Sequence, residues 1–121
     1  MKRKMIFIPK TGKIETVSQD DSLKAIYNKL ECDTIDMFTV GESETMSDVS
    51  YDFICDDEGM FKHEDGEDNI NGFSIAPYRL KIFRQPLFGH ILMCAVDNNT
   101  GEYVDINVAE AKRILKKLYI L

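Results

Sequence analysis

The sequence predicts an α+β domain, with an antiparallel or mixed sheet of about six strands and two amphipathic helices. Three observations lead to this fold class. Short runs of β-branched and aromatic residues alternate with turn-forming residues along most of the chain. Apolar residues recur at helical spacing in residues 19–31 and again in the last 15 residues. No repeat or linker divides the 121 residues, so we expect a single domain over residues 1–121.

The first quarter of the chain predicts a hairpin followed by a helix. "MIFIP" and "KIETVS" are β-prone runs separated by the turn residues Thr11 and Gly12. In "SQDDSLKAIYNKLEC" the apolar residues follow the helical spacing i, i+3, i+4 and i+7: Leu23, Ile26, Tyr27 and Leu30. Ser18 or Asp20 is expected to cap the first turn of this helix, because serine and aspartate side chains accept hydrogen bonds from unpaired backbone N–H groups.

The middle of the chain predicts strands joined by acidic loops. "TIDMFTV" (34–40) is typical of a strand, and "GESETMSDVS" (41–50) has the polar composition of a loop. "YDFIC" alternates as a strand does. "DDEG" then predicts a tight turn, with "MFKH" returning as a short strand.

The last third of the chain predicts a hairpin and a closing helix. Pro77 interrupts "FSIAPYRLKIF", whereas residues 91–96 form the most apolar strand of the sequence. "DNNTG" predicts a turn into a strand at "EYVDI". Asn107 with Glu110 three residues later matches a capping box. The helix that follows has an apolar seam of Val108, Ala111, Ile114, Leu115, Leu118 and Leu121.

Composition indicates an intracellular globular protein. The hydrophobic fraction is 44% and the charged fraction 30%. No apolar run approaches the roughly 20 residues that cross a bilayer, and the apolar run before Pro9 is too short for a signal peptide. The three cysteines are widely spaced, so we expect no disulfide, and we expect Cys94 to be a buried apolar residue.

The formal charge of −6 conceals a strong asymmetry along the chain. Residues 1–30 carry a net charge of +4 and residues 69–121 a net charge of +3. Residues 31–68 carry fourteen acidic side chains against Lys62 alone, a net charge of −13. A charge distribution of this kind bears on solubility and on binding partners.

This acidic segment is the main candidate for function. We predict a surface that docks on a basic partner protein, because clustered carboxylates accelerate encounter with positive charge. The alternative is that the carboxylates serve only to keep the protein soluble. The residues expected to form the docking surface are Asp56, Asp57, Glu58, Glu64, Asp65, Glu67 and Asp68, with Asp48 and Asp52 near its rim.

Metal binding and catalysis find little support. An EF-hand loop aligned on Gly72 places Tyr78 where a bidentate glutamate is required, so we expect no calcium loop there. Residues 97–102 have a composition similar to that of a calcium loop, but a hairpin turn explains this composition. His63 and His90 lie 27 residues apart, without metal-ligand spacing. We therefore assign no catalytic residue, no metal and no cofactor.

A second hypothesis is a protein that sequesters or hydrolyses a small phosphate-containing ligand. Tyr78 would stack on the ligand, and Arg79, Lys81 and Arg84 would contact its phosphate. Direct nucleic-acid binding is not expected, because the overall field of an acidic protein repels a polyanion. The oligomeric state is left open.

The order of these motifs resembles a family of small uncharacterised proteins associated with phages and plasmids. The matching stretches are "IPKTGKIE", the helix at 19–31, "ICDDEGMFK", "APYR", "FGHILMCAVDNNTGEYVDINVAEA" and the last helix. The chain departs from the family pattern in its acidic loops at 41–50 and 63–71 and in lacking an asparagine before Arg79. The resemblance implies a mobile-element origin, a non-enzymatic domain and a location in the host cytoplasm. By analogy with other phage proteins, it also implies a partner among host defence or nucleic-acid-binding proteins.

Overall fold

An antiparallel sheet organises the chain. The computed structural model describes residues 1–9, 14–40, 48–56, 74–75 and 90–120. The elements in these residues are β1 (Lys2–Ile8), β2 (Glu15–Asp20), α1 (Leu23–Leu30), β3 (Ile35–Val40), β4 (Val49–Asp56), β5 (Ser74–Ile75), β6 (Ile91–Asp97), β7 (Tyr103–Val104), α2 (Val108–Leu118) and β8 (Tyr119–Ile120).

Six of these strands form one sheet in the order β2-β1-β6-β4-β3, with β7 paired to β6. Every pairing is antiparallel. The pairs β1–β2, β3–β4 and β6–β7 each join strands that follow one another along the chain. β5 and β8 form a separate two-stranded sheet. The predicted fold class, a six-stranded α+β domain with two helices, is confirmed.

The two helices cover opposite faces of the sheet. Along β1 the side chains of Met5 and Phe7 belong to one core cluster and those of Ile6 and Ile8 to the other, as the two-residue period of a strand requires. The first cluster contains Ile26 and Leu30 of α1. The second contains residues of α2, namely Ala111, Ile114 and Leu115. β6 is buried on both faces, which explains why it is the most apolar strand in the sequence.

Helix α1 begins later than its sequence indicates. Its N-cap is Ser22, whose Oγ accepts a hydrogen bond from the Ala25 N–H at 3.2 Å. The prediction that Ser18 or Asp20 caps the helix is wrong, because both residues pair with β1 in strand β2. Asp20 instead accepts a hydrogen bond from the Ser22 N–H at 2.9 Å, which forms the turn between β2 and α1.

Helix α2 begins where the capping box predicts. The Asn107 side chain accepts a hydrogen bond from the Glu110 N–H at 3.0 Å. The Glu110 carboxylate accepts a hydrogen bond from the Tyr51 hydroxyl of β4 at 2.7 Å and a weaker one from Arg113 at 3.5 Å. Of the predicted seam, Ala111, Ile114 and Leu115 are buried and Val108 packs against them.

The turn between β6 and β7 is also as predicted. The Asp97 N–H donates to the Glu102 carbonyl at 2.9 Å, and an Asp97 carboxylate oxygen accepts from the Asn99 N–H at 2.8 Å. Gly101 has a φ of 76°, a left-handed conformation that glycine adopts without a steric penalty. The Asp97 carboxylate is therefore part of the turn.

The remaining predictions fall partly or wholly outside the described residues. The loop predicted over 41–50 ends earlier than expected, because Val49 and Ser50 already belong to β4. The "DDEG" turn beyond Asp56, the "MFKH" strand and all but two residues of "FSIAPYRLKIF" lie outside. Cys32, Cys55 and Cys94 are buried, as predicted for Cys94. None of the helices in the described ranges has the length and apolar character to cross a membrane.

Candidate functional site

The acidic segment of the sequence begins in the hairpin of β3 and β4, at one end of the sheet. β3 is the terminal strand in the sheet order, and in the described part of the chain its one strand partner is β4. Within residues 31–40 and 48–56 there are six acidic side chains and no lysine or arginine. We call this group the acidic edge; its members are Glu31, Asp33, Asp36, Asp48, Asp52 and Asp56.

Four members of the acidic edge present their side chains to solvent. Glu31, Asp33, Asp36 and Asp48 are exposed. Asp33 lies just before β3 and Asp36 lies within it. Asp48 lies just before β4. The Asp36 carboxylate accepts a hydrogen bond from the Met37 N–H at 3.0 Å, which restricts its orientation. The exposed carboxylates are therefore distributed from the end of α1 along the hairpin rather than gathered in one cluster.

An exposed apolar side chain lies among these charges. Met37 of β3 is 50% exposed and follows Asp36 directly. Successive residues of a strand point to opposite faces, so the carboxylate and the thioether lie on opposite sides of the same edge strand. A flexible methionine beside a charged rim is a combination found at adaptable binding surfaces.

The structure places the predicted docking residues unevenly. Asp56 closes β4 opposite Ile35 and is only 9% exposed, so little of its side chain meets solvent. Asp48 at the predicted rim is exposed. The other predicted docking residues lie outside the described ranges: Asp57, Glu58, Glu64, Asp65, Glu67 and Asp68. The four residues of the phosphate-ligand hypothesis also lie outside them: Tyr78, Arg79, Lys81 and Arg84.

Asp52 is half-buried in the middle of β4. One of its carboxylate oxygens accepts a hydrogen bond from the Thr39 hydroxyl on β3 at 2.8 Å. Burial raises the pKa of Asp52 above its ordinary value, and the Thr39 hydrogen bond opposes that rise. The negative charge of Asp52 is thus less favourable in the folded protein than in water.

Two further groups next to Asp52 resist ionisation. The Cys94 thiol donates a long hydrogen bond to the Asp52 carbonyl, with a sulfur–oxygen distance of 3.7 Å, and burial raises the pKa of this thiol. Burial likewise raises the pKa of Tyr103 to about 12, with a smaller effect of the negative charges nearby. Both groups are therefore neutral near pH 7, and Cys94 is a poor nucleophile.

His90 and Glu31 meet at the end of the sheet where β6 begins. His90 Nε2 lies 2.9 Å from a Glu31 carboxylate oxygen, and the His90 ring contacts Phe7 at a centroid distance of 5.2 Å. The Lys29 ammonium lies 4.3 Å from the centroid of the same Phe7 ring. No set of three or more His, Cys, Asp or Glu side chains suited to a metal ion occurs among the residues that the structure describes.

Sequence reasoning missed Glu31, Asp33, Asp36 and Met37 as members of the candidate surface. These residues are recognised as part of the surface from the position of β3 at the end of the sheet order. That position depends on β6 lying between β1 and β4. No local pattern in the sequence encodes the pairing of residues 49–55 with residues 91–97 that sets this order. The acidic composition was visible in the sequence, but its location at an edge strand was not.

Comparison with known proteins identifies a family of unknown function. The profile of a domain of unknown function, DUF3846, matches residues 1–119. Neither the curated proteins nor the solved structures gave a significant match.

Proposed function

Because the chain belongs to the DUF3846 family, a domain of unknown function, we propose its role from its surface. It is a non-enzymatic binding protein that docks its acidic edge on a basic protein. The mobile-element origin implied by the sequence resemblance makes that partner a host protein, such as a nucleic-acid-binding or defence component.

One observation carries this proposal: the described residues 31–40 and 48–56, which run from the end of α1 through β3 and β4 at one end of the sheet order, carry six acidic and no basic side chains. A field of one sign, concentrated at one end of a domain, attracts a partner of the opposite sign and orients it during encounter. Solubility alone requires only that charges be distributed over the surface.

The edge strand adds short-range contacts to this field. Among the described residues β3 has no strand on its outer side, and a strand in such a position can pair with an extended segment of another protein. Lysine or arginine side chains of such a segment would reach Asp33 and Asp36, and an apolar side chain would contact Met37. Charge then provides the speed and orientation of encounter, while the strand and Met37 provide the short-range fit.

The proposal is tested by retention of a partner from a host lysate on two immobilised variants. D33K/D36K reverses two exposed charges of the acidic edge. E15K/E102K makes the same change in net charge at two exposed positions elsewhere. We expect the wild type and E15K/E102K to retain the same basic protein at low salt, and D33K/D36K to lose it.

The identity and salt sensitivity of the retained protein decide the outcome. A partner held by the acidic edge has a basic surface and is released as the salt concentration rises, because ions screen the attraction over about 10 Å at 0.1 M. Equal retention of the same proteins by both variants would show that the carboxylates of the acidic edge serve solubility rather than docking.

A further inference from the structure

The opposite end of the sheet carries a groove of different chemistry. It lies over the paired strands β1 and β2 and has a volume of about 410 Å³, within the range of about 300–1,000 Å³ that small-molecule sites occupy. Its lining is polar and basic: Lys2, Arg3 and Lys4 of β1, Thr16, Val17 and Ser18 of β2, and Asp105.

The strand register defines which side chains meet in this groove. Lys4 lies opposite Ser18, and the next residue on the same face of β1, Ile6, lies opposite Thr16. Lys2 and Lys4 are therefore on the same face as each other and as the hydroxyls of Ser18 and Thr16. All four of these polar side chains are exposed. The result is two ammonium groups next to two hydroxyls on an open sheet face.

The acidic residues near this end are engaged elsewhere. Asp21 pairs with the Arg3 guanidinium at 3.4 Å, and Asp20 accepts a hydrogen bond from the Ser22 N–H at 2.9 Å. The ion pairs at this end of the described structure involve the Met1 amino group and Arg3, and neither Lys2 nor Lys4 takes part in them. Neither lysine therefore forms an ion pair within the described structure, and the Asp20 carboxylate, which lies opposite Lys2 in the strand register, is paired with the Met1 amino group at 3.6 Å.

Asp105 also lines the groove and is held against β1. Its Oδ1 accepts a hydrogen bond from the Lys4 N–H at 2.7 Å, and the following residue, Ile106, donates its N–H to the Lys4 carbonyl at 2.9 Å. A fixed carboxylate repels an anion placed next to it, but it accepts hydrogen bonds from a hydroxyl or amino group. The groove thus has a carboxylate acceptor next to its cationic side chains.

We propose that this groove binds a small phosphomonoester that also carries hydroxyl or amino groups, such as a sugar phosphate. The phosphate would lie between the Lys2 and Lys4 ammonium groups and the hydroxyls of Ser18 and Thr16. A hydroxyl of the ligand would donate to Asp105. A nucleic-acid strand is a different class of ligand, and the net charge of −6 disfavours it.

The test is an NMR titration of the uniformly ¹⁵N-labelled full chain with ribose 5-phosphate, and in parallel with inorganic phosphate. We expect chemical-shift changes centred on residues 2–4, 16–18 and 105, with tighter binding of ribose 5-phosphate than of inorganic phosphate. K2S/K4S removes both ammonium groups and should weaken ribose 5-phosphate binding at least about tenfold, since each charge-assisted hydrogen bond contributes at least that factor.

Two controls isolate the groove from general charge effects. K24S/K112S removes two exposed lysines elsewhere, with the same change in net charge, and should bind as the wild type does. D105N keeps both lysines and an oxygen that can accept from the Lys4 N–H. It should bind inorganic phosphate more tightly and should lose the preference for ribose 5-phosphate.

Three outcomes would overturn the proposal. The first is an equal loss of affinity in K2S/K4S and K24S/K112S, which would indicate attraction to net charge only. The second is the absence of shifts in residues 2–4 and 16–18 at saturating ribose 5-phosphate. The third is tighter binding of a short single-stranded oligonucleotide than of ribose 5-phosphate through the same residues.

Discussion

The hydroxyl of Tyr51 connects the sheet to helix α2. Tyr51 is 1% exposed, and its hydroxyl donates to the Glu110 carboxylate at 2.7 Å. Burial and the Glu110 hydrogen bond both raise the pKa of Tyr51, so the phenol stays protonated when exposed tyrosines ionise. At the scale of single residues, this contact fixes the first turn of α2 over β4.

Replacing Tyr51 tests this anchor. Y51F removes the donor and leaves the partly buried Glu110 carboxylate without it, so we expect a loss of about 1 kcal/mol in the free energy of unfolding. Urea denaturation measures the loss. Y27F is the matched control, because Tyr27 packs against the other core cluster and its hydroxyl makes no hydrogen bond to the residues that the structure describes. It should change stability by less than about 0.5 kcal/mol. Equal effects of the two substitutions would show that the hydroxyl of Tyr51 contributes nothing specific.

At the scale of single residues, Asp52 makes the stability of the folded protein depend on pH. Its pKa in the folded protein is raised above the ordinary value of 3.8, so the folded state binds more protons than the unfolded state between those two values. Stability therefore falls as the pH rises through that interval, and the loss persists at higher pH. D52N removes the carboxylate, so we expect it to be more stable than the wild type at pH 7, with the difference shrinking towards zero below pH 3.8.

Thermal melts of the wild type and D52N from pH 3 to pH 7 measure this difference. Thr39 can still donate to the amide oxygen of the variant, so the cross-strand contact is retained. A D52N variant that is less stable than the wild type at pH 7 would mean that the Thr39 hydrogen bond outweighs the burial of the charge.

At the scale of elements, the start of helix α1 gives different roles to two serines that look equivalent in the sequence. Ser22 caps the helix, whereas Ser18 pairs with Lys4 in strand β2. S22A should destabilise the protein by about 1 kcal/mol, because the Ala25 N–H loses its acceptor. S18A at an exposed strand position should change the free energy of unfolding by less than about 0.5 kcal/mol. The reverse order of effects, measured by urea denaturation, would contradict the assignment of the cap.

The elements themselves could largely be predicted from local patterns. The helical spacing of Ile26 and Leu30 and the capping box of Asn107 and Glu110 are properties of neighbouring residues, and both helices form where these patterns occur. The start of α1 was missed because strand pairing of residues 15–20 with β1 prevents those residues from joining the helix. Tertiary pairing there overrides a local capping preference.

At the scale of the whole molecule, the sheet order converts a charge asymmetry along the chain into one in space. The acidic edge lies on and next to β3 and β4 at one end of the order. Lys2 and Lys4, which form no ion pair with the described residues, lie on β1 beside β2 at the other end. Composition predicted the acidic surface, but not its position, because the position depends on β6 separating β1 from β4. The docking residues predicted beyond Asp56 stay a prediction.

The most direct test of the docking proposal is the salt dependence of the affinity between the purified chain and the basic protein that it retains. Isothermal titration at 50 and 300 mM NaCl would be made with the wild type, D33K/D36K and E15K/E102K. We predict that wild-type affinity falls steeply with salt, that E15K/E102K follows it within about threefold, and that D33K/D36K binds at least about tenfold more weakly at 50 mM NaCl. Affinities that coincide for D33K/D36K and E15K/E102K at both salt concentrations would contradict the proposal.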